Sequence, residues 1–298
     1  MFAPKDSFGL LESKSVKIYQ LTSSDLKRMH DILLEMYQDL KTICDKYDLK
    51  LIAGGGTALG AVRHHGFIPW DDDMDLGLSR NEYEILKKVF DFELSEKYNL
   101  LAPGYHRGSN VFFMRIMKKN TTLLGMIDET SPYPHGIYID IMPIDYVPEN
   151  QLKARFKGIA SDLLRFISYS VYWYQYRSPS LADFMLNSEG KTYYKLRIVI
   201  GKLFSFKRAE EWFTVWDKFI QSKPSSKVTV AAGRKKYFGE IFPIEIYFPP
   251  RKVCFENTEI YVHNDADYYL TKLYGDYRKI PDVKDREKHL CLRLDFNK

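Results

Sequence analysis

The chain has little of what would tie it to an export route or to a membrane. Its three cysteines, Cys44, Cys254 and Cys291, lie far apart and show neither C-x-x-C nor metal-ligand spacing. That excludes a disulfide scaffold and points to reduced thiols in a cytoplasmic protein. No run reaches the roughly 18 consecutive apolar residues of a spanning helix, and the opening MFAPKDSFGLLESKSVKIY lacks the basic start and apolar stretch of a leader. The expectation is a chain neither exported nor membrane-spanning. No charge sign dominates either. Forty-four basic residues stand against 39 acidic ones, a formal +5, with the basic residues dispersed. This is a mild bias toward phosphorylated substrates or an anionic lipid surface, and without a basic stripe no nucleic-acid partner is expected. Repeats and low-complexity tracts are absent as well. With 45% hydrophobic residues, 298 residues suffice for a large core, in one extended domain or two joined lobes.

What is present concentrates between Leu51 and Ser79, LIAGGGTALGAVRHHGFIPWDDDMDLGLS. Gly54, Gly55 and Gly56 follow a short apolar run and precede a helix-compatible Thr57 to Arg63, so their N–H groups can face an anion at a helix N-terminus. Beyond the Pro69-Trp70 break, Asp71, Asp73 and Asp75 recur at every second residue. On a strand they share a face, and like charges about 7 Å apart call for a cation between them. Hard oxygen donors suit Mg²⁺ or Mn²⁺. An Asp-rich stretch is more often a solvated turn, but apolar Phe67, Ile68, Trp70, Met74, Leu76 and Leu78 bracket this one and argue for a cleft wall. His64 and His65 read as a surface or hydrogen-bonded pair, since Mg²⁺ seldom takes imidazole.

Two later stretches bear on the same site. Val111 to Met117 reads as a buried strand interrupted by Arg115, which is either half of an ion pair or a phosphate contact. In Gly136 to Asp145, isoleucines alternate with Tyr138, Asp140 and Met142, which puts Asp140 in mid-strand, where a carboxylate must be ligated or paired, the latter with Arg63 or Arg115. Asp145, near Pro148, reads as a cap or loop residue.

The residues from Gly55-Gly56-Thr57 through Ala58-Leu59-Gly60-Ala61-Val62-Arg63-His64 to Gly66-Phe67-Ile68-Pro69-Trp70-Asp71-Asp72-Asp73 and Asp75 resemble the signature of the LicD family, which includes the fukutin-related proteins. Tyr269-Leu270, Tyr274-Gly275-Asp276-Tyr277, Arg286 and His289 resemble its C-terminal motifs, so the likeness runs in patches from Leu51 to His289. The resemblance implies a nucleotidyltransferase-like fold with a Gly-Gly turn, an Asp-x-Asp pair and a third carboxylate, here Asp140, on a later strand. It also implies transfer of phosphocholine, or of another alcohol phosphate, from a CDP-activated donor such as CDP-choline to a glycan acceptor. The assignments that follow are Asp73, Asp75 and Asp140 as catalytic. Asp71, Asp73, Asp75 and Asp140 would hold Mg²⁺ or Mn²⁺, and Gly55, Gly56, Thr57, Arg63, Arg115 and His289 would bind substrate. Deprotonation of the acceptor hydroxyl falls to Asp140 or to a hydroxyl-acidifying metal.

Around this stretch the periodicities place strands among helices with an additional helical lobe, and with the fold that the resemblance implies the expectation is an α+β fold, a nucleotidyltransferase-like mixed sheet flanked by helices. A helix capped by Ser23 or Ser24 runs to about Tyr47 and is packing. A Ser79–Glu82 capping box opens another, to about Tyr98. Helical patterns at Leu152 to Tyr176, Tyr193 to Phe204 and Ala209 to Ile220 follow, broken at Ser178-Pro179-Ser180 and Phe206-Lys207. Strand signals return at Val228-Val230, Ile244-Ile246-Phe248 and Val253-Phe255, before a helix capped by Asn264 or Asp265 and ended by Gly275. The chain reads as one domain, residues 1–298, with a core at 22–147, a lobe at 148–226 and a closing section at 227–298. The aromatic run Tyr172, Trp173, Tyr174, Tyr176 can form a cage for a quaternary ammonium group, but successive helical residues diverge, which favours core packing.

Two other functions are kept open. Glycosyltransferases also use Asp-x-Asp, with Mn²⁺ and a nucleotide-sugar, and a glycan- or choline-binding module can retain the fold without the chemistry. The acceptor expected for the transferase is a cell-envelope glycan, lipid-linked, met at the inner face of the membrane.

Overall fold

The computed structural model describes residues 18–106, 108–286 and 291–297. Residues 1–17 and His289 therefore lie outside the described residues. In chain order the elements are α1 (Ser23–Lys46), β1 (Ile52–Ala53), α2 (Gly55–Arg63), β2 (Asp75–Ser79), α3 (Arg80–Glu93), β3 (Tyr98–Leu101), β4 (Met114–Lys118), β5 (Thr122–Gly125) and β6 (Tyr138–Tyr146). Four helices follow, α4 (Gln151–Gln175), α5 (Pro179–Leu186), α6 (Lys191–Leu203) and α7 (Ala209–Ile220). The chain then returns through β7 (Lys227–Thr229), α8 (Lys236–Gly239), β8 (Phe242–Pro243), α9 (Ile244–Tyr247), β9 (Arg251–Phe255), β10 (Thr258–Val262), α10 (Ala266–Tyr274) and β11 (Cys291–Asp295).

The main sheet is mixed, in the order β3-β4-β6-β2-β1-β10-β9, with β7 on the far end of β6 and β8 beside β7. β2 and β6 run parallel with Asp75 opposite Asp140, and β4 runs antiparallel to β6 with Arg115 opposite Asp140. Alternation then decides the faces. Leu76, Leu78, Ile116, Ile139 and Ile141 point into a core shared with Met29, Leu33, Met36 and Leu40 of α1 and Tyr83, Leu86 and Phe90 of α3. Asp75, Arg115 and Asp140 fall on the other face. There a second core joins Phe112, Phe113 and Met117 to Val171, Tyr172, Phe213 and Trp216 of the four-helix segment.

Local signals set the element ends. Thr22 caps α1 in a reciprocal box with Asp25, in place of the expected Ser23 or Ser24, because its Oγ1 accepts from the Asp25 N–H at 3.1 Å. Ser79 and Glu82 form the expected box on α3, which stops at Glu93. The break read at Ser178-Pro179-Ser180 is instead the start of α5. Ser178 is its N-cap and Pro179 its first residue, where a missing N–H costs nothing. Ile244 to Tyr247 form a short helix rather than a strand. The run read as a strand from Val111 is laddered only from Met114. Asp145 is not a loop residue. It lies in β6, 1% exposed, with Arg80 donating Nε and Nη2 to its carboxylate at 2.8 and 2.6 Å. The third Arg80 contact, Nη1 to Asp217 at 2.8 Å, ties α7 to the sheet.

Candidate functional site

The site grows from the turn between β1 and α2. Gly54 is the N-cap of α2 and Gly55 holds a left-handed φ of +45°, which an L side chain resists. A Cβ on Gly56 would meet Asp71 Oδ2 at 2.7 Å, and one on Gly55 would stand 3.6 Å from both Asp75 Oδ2 and the Tyr274 hydroxyl. Bare glycine thus admits two carboxylates to the first turn of the helix, where its dipole favours negative charge. The expected cradle of three glycine N–H groups is narrower than predicted. The Gly54 N–H donates to the Asp75 carbonyl at 2.9 Å and the Gly55 N–H to the Tyr269 hydroxyl at 3.0 Å. Thr57 also turns inward, its Oγ1 accepting from the Asp75 N–H at 2.9 Å, and so pins the head of β2.

The acids do not all lie on a strand. Only Asp75 enters the ladder. Asp71 and Asp73 precede it outside the strand ladder, because β1 is two residues long and reaches back only to Leu76 and Gly77. The alternation nonetheless persists, with Asp71, Asp73 and Asp75 half-buried and Asp72 and Met74 buried. The preceding loop is fixed from outside. Asp71's carbonyl meets His30 Nε2 at 2.7 Å, and the His30 ring stacks on Phe67 at 4.4 Å. Glu256, in the β9–β10 turn, accepts from the Phe67 N–H at 2.9 Å, and Arg286 lies over the Trp70 ring at 3.9 Å.

Asp140 stands beside Asp75 in register and takes the pairing left open for it. Arg115 donates Nε and Nη2 to its two oxygens at 2.8 and 2.7 Å. The same guanidinium lies 3.7 Å from the Tyr138 ring centroid. Burial works against its charge, but the Asp140 carboxylate more than offsets this and holds Arg115 well above its ordinary pKa. Burial likewise raises the Tyr138 hydroxyl, and the carboxylates of Asp140, Asp73 and Asp72 add to the effect. Arg63 is not aimed at the glycine turn. It closes α2 by donating Nη1 to the carbonyls of Tyr277 at 2.6 Å and Lys279 at 3.3 Å, and Nε to His64 at 3.0 Å.

Next to Arg115 a cleft of about 70 Å³ opens between Asp72, Asn110, Asp128, His135 and Tyr138. Asp128 Oδ1 accepts from Asn110 Nδ2 at 2.9 Å and from the Tyr172 hydroxyl at 2.8 Å. Tyr172 and Trp173 are otherwise buried, as expected of core packing. Among the described residues no three His, Cys, Asp or Glu side chains form a metal-binding group. The donor chemistry still suits a hard cation, since Asp71 and Asp75 bring carboxylate oxygens to one helix turn. Tyr269, Tyr274, Glu256 and His30 went unassigned from the sequence. The two tyrosines sit in motifs already singled out, whereas Glu256 and His30 carry no local signal.

Residues 49–120 match the family described as LicD/FKTN/FKRP, nucleotidyltransferase domain. The chain carries a nucleotidyltransferase domain of this family. Over 283 residues it is 25% identical to the lipopolysaccharide cholinephosphotransferase LicD of Haemophilus influenzae, covering 89% of this chain and 95% of that protein. It is 27% identical over 145 residues to an uncharacterized protein of Rickettsia typhi and 26% over 137 residues to one of Rickettsia prowazekii. These matches cover 49% and 44% of this chain, and 40% and 49% of those proteins. The LicD-type domain spans α2, the acid-bearing loop and β4, which includes every described candidate residue except Asp140. No described helix is long and apolar enough to cross a membrane.

Proposed function

We propose that the chain is a metal-dependent phosphotransferase that moves phosphocholine, or a similar alcohol phosphate, from a CDP-activated donor to a hydroxyl of a cell-envelope glycan. The observation that carries this reading is the in-register pair Asp75 and Asp140 on adjacent parallel strands, beside a helix that begins in glycine. The similarity to a lipopolysaccharide cholinephosphotransferase along nearly the whole chain supports the choice of donor and acceptor.

Asp71 and Asp75 would hold a divalent ion, Mg²⁺ or Mn²⁺, with Asp73 and Asp140 completing the negative surround. The ion supplies charge neutralisation for the donor diphosphate. Arg115, held rigid by Asp140 and Tyr138, offers a fixed cation to the transferring phosphoryl group. The acceptor oxygen bonds to phosphorus as the bond to CMP breaks, and the hydroxyl proton passes to a carboxylate, for which Asp73 and Asp75 are the candidates. Positioning does most of the work. We place the alcohol head group in the cleft of Asp72, Asp128 and Tyr138. The domain reading of a core at 22–147 completed by 227–298 is part of the same proposal, since Tyr269 and Tyr274 return to the glycine turn.

The test is CMP release from CDP-choline, CDP-glycerol and CDP-ribitol in the presence of Mg²⁺ and a glycan acceptor. Asp73→Asn and Asp75→Asn should each lower turnover by roughly 10²–10⁴-fold with an unchanged melting temperature. Full activity in both variants would refute the assignment. Release of UDP or GDP from nucleotide-sugars in place of CMP would make the protein a glycosyltransferase, and binding of CDP-choline without product would make it a binding module.

A further inference from the structure

The helical segment carries a surface that the proposed chemistry does not use. α6 is anchored on one side only. Tyr194, Arg197 and Gly201 face α4, where Arg197 lies 4.3 Å from the Phe166 ring and 5.0 Å from that of Trp173. Gly201 is so close to the Ser170 carbonyl that no side chain fits between them. The opposite side of the helix is a ridge of Leu196, Val199 and Leu203, exposed by 50%, 63% and 67%, with Phe206 just past the helix end at 72%. Spacings of three and four residues place the three helical members along one stripe. A helix serving only an intramolecular core would keep such a stripe covered.

Charge says what the stripe fits. From Lys191 to Lys207 there are five basic residues and no Asp or Glu. Arg197 is buried, but Lys191, Lys195 and Lys202 are exposed, and none of these three takes part in an ion pair among the described residues. At 100° per residue they fall together along one flank of the ridge, where their stems can cover apolar surface while the ammonium groups reach outward. α4 repeats the composition. Leu152, Phe156, Ile159 and Leu163 are exposed at helical spacing, with Lys153 and Arg155 exposed between them and Asp162 the one acid in the helix. An apolar ridge flanked by lysines alone matches a surface that is apolar beneath and negative on top.

We infer that α6, with Phe206, is a docking face for the surface of a bilayer containing anionic lipid. The ridge enters the headgroup–acyl boundary while Lys191, Lys195 and Lys202 meet lipid phosphates. The inference rests on exposure and charge in the helical segment, not on the reading of the carboxylate site. If both hold, the face brings the site to lipid-linked acceptors.

The experiment is co-sedimentation of the full chain with vesicles of phosphatidylcholine alone and of phosphatidylcholine mixed with phosphatidylglycerol, at low and high salt. The chain should bind the mixed vesicles, release in high salt, and bind neutral vesicles weakly. Lys195→Glu/Lys202→Glu should lower the partition coefficient at least about tenfold, and Leu196→Ser/Leu203→Ser should lower it comparably. All four side chains are exposed, so melting temperatures should match the parent. Absence of binding by the parent chain, or charge-reversed protein that binds as well as the parent, would overturn the inference. So would concentration-dependent dimerisation that Leu196→Ser/Leu203→Ser abolishes, since the occupant would then be a second copy.

Discussion

Glu240 and His263 are both buried titratable residues, at 6% and 1% exposure, and they act on stability with opposite signs. Burial raises the Glu240 carboxyl to about 7 and lowers the His263 imidazole to about 3. With the folded value above the unfolded one, Glu240 imposes no penalty below pH 4.5. As pH rises from there to 7 the unfolded chain ionises first, and about 3 kcal/mol of stability is lost. His263, whose folded value is depressed, contributes stability that is complete above pH 6.5. That contribution is lost as pH falls toward 3, by up to about 5 kcal/mol. Between pH 4.5 and 6.5 the two slopes oppose each other. Urea midpoints measured across pH 3.5 to 8 should show Glu240→Gln gaining stability over the parent only above about pH 5. His263→Gln should flatten only the acid limb.

Arg115 and Asp140 offer a second single-residue experiment. Their side chains are 18% and 8% exposed and joined by two charge-assisted bonds. Arg115→Met leaves a buried carboxylate alone and should cost about 3–5 kcal/mol in denaturant unfolding, whereas Arg115→Met/Asp140→Leu should recover much of that. Activity should be lost in both. Recovery of stability without recovery of turnover separates the structural share of the pair from the catalytic one.

At the level of elements, the acid-bearing loop is held by how closely α2 packs on it. A Cβ on Gly60 would lie 2.5 Å from the Gly66 carbonyl and 3.2 Å from the Ile68 N–H, both backbone atoms that cannot swing aside. Gly60→Ala should therefore cost about 1–3 kcal/mol and lower turnover as well, because Asp71 hangs from the displaced loop. A variant that melts like the parent would show that the loop is more pliant than its packing implies. Much of this local structure was legible beforehand. The Ser79–Glu82 box, the alternation of Ile137, Ile139 and Ile141, and the glycine after α10 each encode their element within a few residues. What escaped were signals with two meanings. Ser178-Pro179 suits a break as well as a helix start, and Ile244-Glu245-Ile246-Tyr247 alternates like a strand yet coils in four residues. The candidate site was legible in residue type and only partly in geometry. Nothing near Asp140 in sequence says that Arg115 will claim both its oxygens, and Glu256 supports the loop from 189 residues away. Such contacts belong to tertiary pairing, which local spacing does not encode.

At the scale of the molecule, Arg80 couples the helical segment to the sheet. It starts α3, is 10% exposed along its side chain, and bridges Asp145 of β6 and Asp217 of α7, which are 2% and 5% exposed. Burial opposes the Arg80 charge, but the two carboxylates outweigh it and raise the guanidinium above its ordinary value. Arg80→Met would strand both acids and should cost about 3–5 kcal/mol. Unfolding followed by tryptophan fluorescence should report the helical segment early in this variant. Trp173, Trp212 and Trp216, three of the chain's four tryptophans, lie there, whereas far-UV dichroism averages over all elements. Coincident transitions in the variant would show that the apolar contact alone keeps the parts cooperative.

The hold of Arg63 on the carbonyls of Tyr277 and Lys279 has one more consequence. The helix that opens in glycine beside Asp71 and Asp75 is latched at its other end by chain laid down more than 200 residues later. During synthesis that latch arrives only after every strand of the main sheet has been made. A ribosome-bound fragment stopping short of Tyr277 would have its main sheet but a loosely tethered helix, so the glycine turn should become rigid only after the strands beside it.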